Sequence, residues 1–371
     1  MLATEEWALP YTATWSAFTN FTVTASHPNQ TVHDGANVIT TTVGGCLSMM
    51  GVIFITVSYF KLVEYRAGGT TAQTILLYIS FADFLAASSN VTSVWFPQEA
   101  PPGCKASAFV IIFASTSSFL WTSCLALHLY LIIMDKNNIT ARRYKMLIFH
   151  LISWSIPLVL ASIALGSDAL GPSPIFSKSE SNVKLTTGGW CWIRDFHDKS
   201  KTIAWTMMTS KVWELASYCL ITFLCCAILI QLRRNIRTAC SVSDETLVEA
   251  RKLEKRMMFI PVAFILLRIW GTVRYFAYTS KLPIREDILH NRALYAMQGL
   301  GDSSQGFANS LFFCLSNKRV YEYWKFVLSD ILPDFLCYTD SWESTNERTP
   351  ILYNLNTEEK RNEEQKSNSI V

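Results

Sequence analysis

Six ionisable side chains of this 371-residue chain lie inside long apolar runs: Asp83, Lys211, Glu214, Arg268, Arg274 and Asp302. Charge at such positions is costly and must pair or face water. Three acids and three bases sum to zero, as pairing requires. Lys211 and Glu214 are three apart and share one face of a helix, as do Trp270 and Arg274, four apart. Two chemistries are open. A water-filled pocket can present Arg274 and Lys211 to an anionic ligand, with Glu214, Trp121, Trp192, Trp213 and Trp270 around it. Alternatively, the helices close into a network in which Glu214 pairs an arginine and Lys211 reaches outward along its aliphatic stem. Asp83, Arg268, Asp302, Gln305 and Asn309 form a candidate polar switch or a static hydrogen-bonded cluster.

Catalytic chemistry finds less support. Only His128 and His150 of the six histidines lie near apolar runs, and no H-x-x-x-H spacing occurs, so a metal site of His and carboxylates is not expected. No G-x-S-x-G elbow or phosphate-cradling glycine loop appears. The last apolar run has no interior Lys to anchor a retinal Schiff base. The chain is expected not to be an enzyme and to need no cofactor.

The elements that position these residues follow from hydropathy. Half of the residues are hydrophobic and 16% are charged, with a net charge of +3; an ordinary soluble domain carries about 25% charged residues. The mean hydropathy is +0.22. That balance argues against disorder, a nucleic-acid binder and a small disulfide scaffold, and leaves a polytopic membrane protein. A spanning helix needs roughly 20 apolar residues. Seven stretches qualify: Val38–Phe60, Thr74–Phe96, Ser107–Met134, Met146–Gly166, Ile203–Ile230, Met257–Thr279 and Arg292–Leu315. The fold predicted is an all-α seven-transmembrane helix bundle. Residues 1–37 form an extracellular tail, 38–316 the bundle, 317–330 a short amphipathic eighth helix and 331–371 a disordered cytoplasmic tail.

Basic residues set the orientation. Residues 1–36 contain no Lys or Arg, whereas the third and fifth connections carry Arg142, Arg143, Arg233, Arg234, Arg237, Arg251, Lys255 and Arg256. The N-terminus is therefore expected outside, with glycosylation at Asn20 and Asn29. Only two cysteines then fall in outer connections, Cys104 and Cys191, and a single pair has one connectivity: a Cys104–Cys191 disulfide is predicted.

Several segments resemble the orphan G-protein-coupled receptor 157 family, itself similar to the slime-mould cAMP receptors and the secretin-type receptors. They are Ser115–Trp121 with Cys104 ahead of it, Trp190–Ile193, Ser210–Glu214, Ile260–Phe264, Leu267–Arg274 and Ser304–Asn309, with Ser80–Asp83 and Leu127–Leu131 in support. They occur in family order over roughly Val38–Tyr323. The chain departs from the family at Asp302, where an amide is usual, and it has no Asp-Arg-Tyr triplet after the third span.

The resemblance implies a plasma-membrane, multi-pass receptor that activates a heterotrimeric G protein through the cytoplasmic arginines and lysines named above. Its ligand would be a small extracellular molecule, with an anionic one favoured by the charges. A transporter or a non-coupling heptahelical protein is the competing class. Pro261 and the Gly299–Gly306 stretch are expected hinges. In the tail, Ile351 and Leu352 resemble a sorting-adaptor signal, Val371 ends a PDZ-ligand-like sequence, and Cys337 is a candidate for palmitoylation.

Overall fold

The computed structural model describes residues 35–63, 70–95, 101–133, 139–172, 175–176, 184–185, 190–194, 196, 198–238, 258–280, 283, 285–316, 320 and 324–325. The chain divides into two units, Met1–Asn317 and Lys318–Val371. Of the second, Val320, Trp324 and Lys325 are described, all helical.

The first unit is a helical bundle. Among the described residues, six segments are long and apolar enough to cross a membrane: Asn37–Lys61, Thr71–Trp95, Pro102–Ile133, Tyr144–Gly166, Lys199–Gln231 and Phe259–Thr279. The first three belong to α1 (Gly35–Val63), α2 (Thr71–Trp95) and α3 (Pro101–Ile133). The fourth joins α4 (Ile139–His150) to α5 (Ile156–Gly166) through a π turn, Leu151–Ser155. Pro157 comes just after that turn; its missing N–H leaves a carbonyl unmatched, which the wider π geometry accommodates. The fifth joins α6 (Lys199–Thr206) to α7 (Val212–Thr238) through a second π turn, Met207–Lys211. The sixth is α8 (Phe259–Thr279). Pro261 lies in its first described turn, where a missing N–H costs nothing, so it bends no helix among the described residues.

The seventh predicted span is two helices. After the short α9 (Arg285–His290), α10 (Arg292–Ser303) and α11 (Gln305–Ser316) meet at Ser304. The break is bridged: Ser304 N–H donates to Leu300 O at 2.9 Å and Ala308 N–H to Ser304 O at 3.1 Å. Small residues let this segment lie against α1. A Cβ on Gly299 would stand 2.4 Å from Asn37 Oδ1, and one on Gly306 2.6 Å from Ser48 Oγ. Ser48 Oγ instead accepts from Gly306 N–H at 2.9 Å.

Helix α3 is the most enclosed span and packs against α2, α5 and α7. The segment between α5 and α6 is the connection that carries Cys191. It contains two small antiparallel ladders: β1 (Leu170–Gly171) with β4 (Trp192–Ile193), and β2 (Ile175–Phe176) with β3 (Lys184–Leu185). Cys104 at the start of α3 is bonded to Cys191 beside β4, with a Cα–Cα distance of 5.5 Å. Ala108, Ile112, Ala161, Ala164, Leu170 and Ile193 pack around this bond. It closes a loop of 87 residues. Removing such a bond typically costs about 2–5 kcal/mol. Cys104→Ser and Cys191→Ser are expected to lower the thermal midpoint equally, and the double variant no further; unequal losses would mean that the sulfurs act separately.

Candidate functional site

Two polar clusters run through the bundle. The first sits between α2, α3 and α11. Asp83 is buried, and its Oδ1 accepts from Ser118 Oγ at 2.7 Å. Its Oδ2 accepts from Asn309 Nδ2 at 2.7 Å, and Asn309 Oδ1 accepts from Gln305 Nε2 at 3.2 Å. Three of the five expected switch residues, Asp83, Gln305 and Asn309, thus come together, and Arg268 and Asp302 belong elsewhere.

The second cluster lies nearer the disulfide. The π turn ends on Lys211, and the next helical turn carries Glu214. Lys211 Nζ donates to Glu214 Oε2 at 2.6 Å with both side chains buried. Glu214 Oε1 accepts from Tyr218 Oη at 2.6 Å and from Thr272 Oγ1 at 2.9 Å. Glu214 therefore pairs with the lysine of its own helix, not with an arginine. Arg268 faces Asp302 with 3.9 Å between Nη1 and Oδ1, and its guanidinium lies 4.9 Å from the Phe119 ring centre. Arg274 is fully buried; it donates to Gln298 Oε1 and stacks 4.5 Å over the Tyr295 ring.

A cavity of about 20 Å³ opens between α2, α3, the second π turn, α7, α8 and α10. That volume seats a water molecule. Lys211, Glu214, Arg268 and Asp302 supply its charges. Trp190, Trp192 and Phe119 supply aromatic walls, so the disulfide-held loop forms part of the enclosure. Trp190 is buried against Val38, Val94 and Ile111. Lys211 Nζ lies 6.0 Å from the Trp192 ring centre and 5.7 Å from that of Tyr275.

Of the residues expected to form a pocket, Trp192, Lys211 and Glu214 line this cavity. The others are not among its lining residues. Trp121 stacks on Tyr78 at 4.9 Å and meets His150 and Trp154 edge-on. Trp213 donates its Nε1 to Met208 O at 3.0 Å and packs beside Phe119 and Phe264. Trp270 is half-buried on α8. Arg274 is held by Gln298 and Tyr295, outside the cavity lining.

Some participants were not singled out from sequence: Ser118, Tyr218, Thr272, Asn90, Gln298 and Trp190. Two of them had a signal. Ser115–Ser118 is a run of four hydroxyl residues in an apolar helix, and Tyr218 is four residues from Glu214. Arg142 and Arg143 lie in α4, and Arg233, Arg234 and Arg237 in α7; their side chains are outside the described set. Asn20, Asn29, Arg251, Lys255, Arg256, Cys337, Ile351, Leu352 and Val371, and most of 317–330, lie outside the described residues.

The loop has an exposed electrostatic tether. Asp168 takes a positive φ of 52°, a conformation Asp tolerates better than most residues. It pairs with Lys105 at 2.5 Å and Arg194 at 2.6 Å. The Lys105 hydrogen bond, then the Arg194 and Lys105 charges, hold its carboxyl below the ordinary carboxylate value. A depressed folded-state pKa stabilises above the unfolded value and stops doing so as pH falls through the folded one. Acidification below the carboxylate range is therefore expected to loosen the loop slightly, with loss of the effect in Asp168→Asn. Because the pair is half exposed, the change is small and salt-sensitive. Tryptophan fluorescence against pH reads it; an identical titration in Asp168→Asn would exclude the tether.

Comparison with known proteins adds a family. The family model described as slime mold cyclic AMP receptor matches residues 31–349. G-protein coupled receptor 157 of Mus musculus is 30% identical over 261 residues, covering 67% of this chain and 73% of that protein. The Homo sapiens receptor of the same name is 30% identical over 256 residues, covering 67% and 72%. Cyclic AMP receptor-like protein A of Dictyostelium discoideum is 28% identical over 149 residues, covering 40% and 34%.

Proposed function

Because the chain belongs to the slime mold cyclic AMP receptor family, together with the receptors named G-protein coupled receptor 157, we propose that its bundle carries an extracellular signal to a heterotrimeric G protein. The protein is a multi-pass membrane receptor. The observation that carries the reading is the family match across residues 31–349, which takes in every described span. The disulfide end faces outward in this reading, with residues 1–37 outside, glycosylated at Asn20 and Asn29, and 331–371 inside. The plasma membrane is the site of action.

A ligand can shift the helices only by binding one arrangement better than another. The cavity is the place for such a ligand, since its lining comes from α2, α3, α7, α8, α10 and the loop. A small ligand bearing an acid group would meet Arg268, whose nearest carboxylate is 3.9 Å away. On the opposite face, Arg142, Arg143, Arg233, Arg234, Arg237, Arg251, Lys255 and Arg256 would meet the G protein and lipid phosphates. Ile351 with Leu352 would engage a sorting adaptor, and Val371 a PDZ domain.

The test is G-protein dissociation in cells, one Gα class at a time, beside a variant with Arg233, Arg234 and Arg237 neutralised at matched surface level. Signal in a single class that vanishes in the variant is the expected result. Signal unchanged by neutralisation would remove these arginines from the coupling face, and transport without any coupled signal would favour the competing class.

A further inference from the structure

The two π turns differ in what accompanies them. The first lies just ahead of Pro157. The second, Met207–Lys211, sits in a span whose residues 199–238 contain neither Pro nor Gly. Such a sequence forms a regular α-helix unless a group from outside the backbone ladder intervenes. Here such groups are present. Val212 N–H donates to Met207 O, five residues back, which closes the wide turn. Two successive carbonyls within the turn accept side-chain donors: Met208 O from Trp213 Nε1 at 3.0 Å, and Thr209 O from Thr116 Oγ1 at 3.2 Å. Thr116 belongs to α3, and both threonines are fully buried.

The flanks of the turn are held differently. Hydrogen bonds pin α7 to its neighbours: Ser217 Oγ donates to Phe119 O of α3 at 3.4 Å, and Glu214 accepts from Thr272 of α8 at 2.9 Å. Helix α6 meets the outer loop instead. It packs on β4, Trp205 lies against the cluster around Cys104–Cys191, and Thr202 Oγ1 accepts from Phe196 N–H at 3.3 Å. Of the two flanks, α6 is therefore the one that can turn.

We propose that this π turn is a register switch, held wide by Thr116 and Trp213, whose closing to α geometry turns α6 against α7 and carries Trp205 off the disulfide cluster. Each residue of an α-helix adds about 100° of rotation and about 1.5 Å of rise. Closing the turn over the same residues swings α6 by about that angle and shifts it by about that distance. Movement of the outer loop is thereby tied to the turn that ends on Lys211, which lines the cavity. Such a switch gives the receptor a moving part, and it operates in the chain whatever the receptor couples to.

The full chain is prepared in lipid nanodiscs with fluorine-labelled tryptophan, and the Trp205 resonance is assigned by its loss in Trp205→Phe. Thr116→Val and Trp213→Phe each remove one donor. Each is expected to raise a second Trp205 resonance severalfold over the parent. Thr116→Ser keeps the hydroxyl and is expected to match the parent. Deleting Met208, whose side chain is exposed, leaves a regular helix with both flanks facing as before. In that chain Thr116→Val is expected to leave Trp205 unchanged, since no wide turn remains to be held. A Trp205 resonance indifferent to Thr116→Val, or a second resonance that persists after the deletion, would overturn the switch. So would a Met208-deleted chain that does not fold, because regular geometry would then be closed to this span. The receptor reading stands or falls separately on the G-protein assay.

Discussion

A Gly301→Ala chain is expected to unfold at a markedly lower temperature than the parent, while Gly103→Ala behaves like the parent. A Cβ on Gly301 would lie 2.1 Å from the Leu267 carbonyl oxygen and 3.1 Å from its carbon. Both are backbone atoms of α8, so no side chain can swing aside. Helices α8 and α10 would have to separate, and with them Arg268 and Asp302, which those helices carry. Overpacking in a dense interior costs about 1–3 kcal/mol and sometimes more; the rigid obstacle puts this case at about 3 kcal/mol or above. At Gly103 a Cβ meets nothing within 4 Å, so the same chemical change there is a control for helix propensity. Thermal unfolding of the purified chains checks the pair. A Gly301→Ala midpoint within about 2 °C of the parent would show that α8 and α10 are not held at this distance.

The second large effect is at Glu214. Glu214→Leu removes the acceptor of Lys211, Tyr218 and Thr272 at one stroke. It strands a Lys211 that is 5% exposed. Breaking a buried pair from one side costs about 3–5 kcal/mol, chiefly because the remaining charge has no counter-charge. Lys211→Met is expected to be costly for the mirror reason. The double variant Lys211→Met/Glu214→Leu removes both charges and replaces them with apolar volume, so it is expected to recover most of either loss. Unfolding midpoints of the four chains form a double-mutant cycle. Additive losses would mean that the two side chains do not act as a pair. The double variant also separates stability from signalling, since a chain that folds but no longer responds to ligand places this pair in the cavity's chemistry.

Much of the architecture was legible one residue at a time. The first three apolar runs fall on α1, α2 and α3, each starting three to six residues after the helix does and ending within three residues of its last residue, because a spanning helix announces itself by length and by the near absence of charge. The seventh run was harder. Gly299, Gly301, Gly306 and Gln298 dilute its hydropathy because they serve close contacts and a polar bond with α1 and α8, Gln305 does so while bonding Asn309 on its own helix, and the helix breaks at Ser304. The disulfide was legible because topology left one pairing, and the Lys211–Glu214 pairing was within reach because it is local to one helix face.

The sequence by itself determined that the chain crosses a membrane many times, that its buried charges balance, and that Cys104 must find Cys191. Composition, period and counting are enough for these. The tertiary structure alone decided which charges meet and which side chains line the cavity. Each π turn inserts a residue and so rotates the helix beyond it, which is why the fifth span's faces cannot be projected along one regular helix. Arg268 meeting Asp302, Arg274 turning to Gln298, Trp121 turning to Tyr78, and Asn309 reaching Asp83 all join residues from different helices. Such partners are fixed by helix order, rotation and depth, quantities that spacing along one chain does not contain.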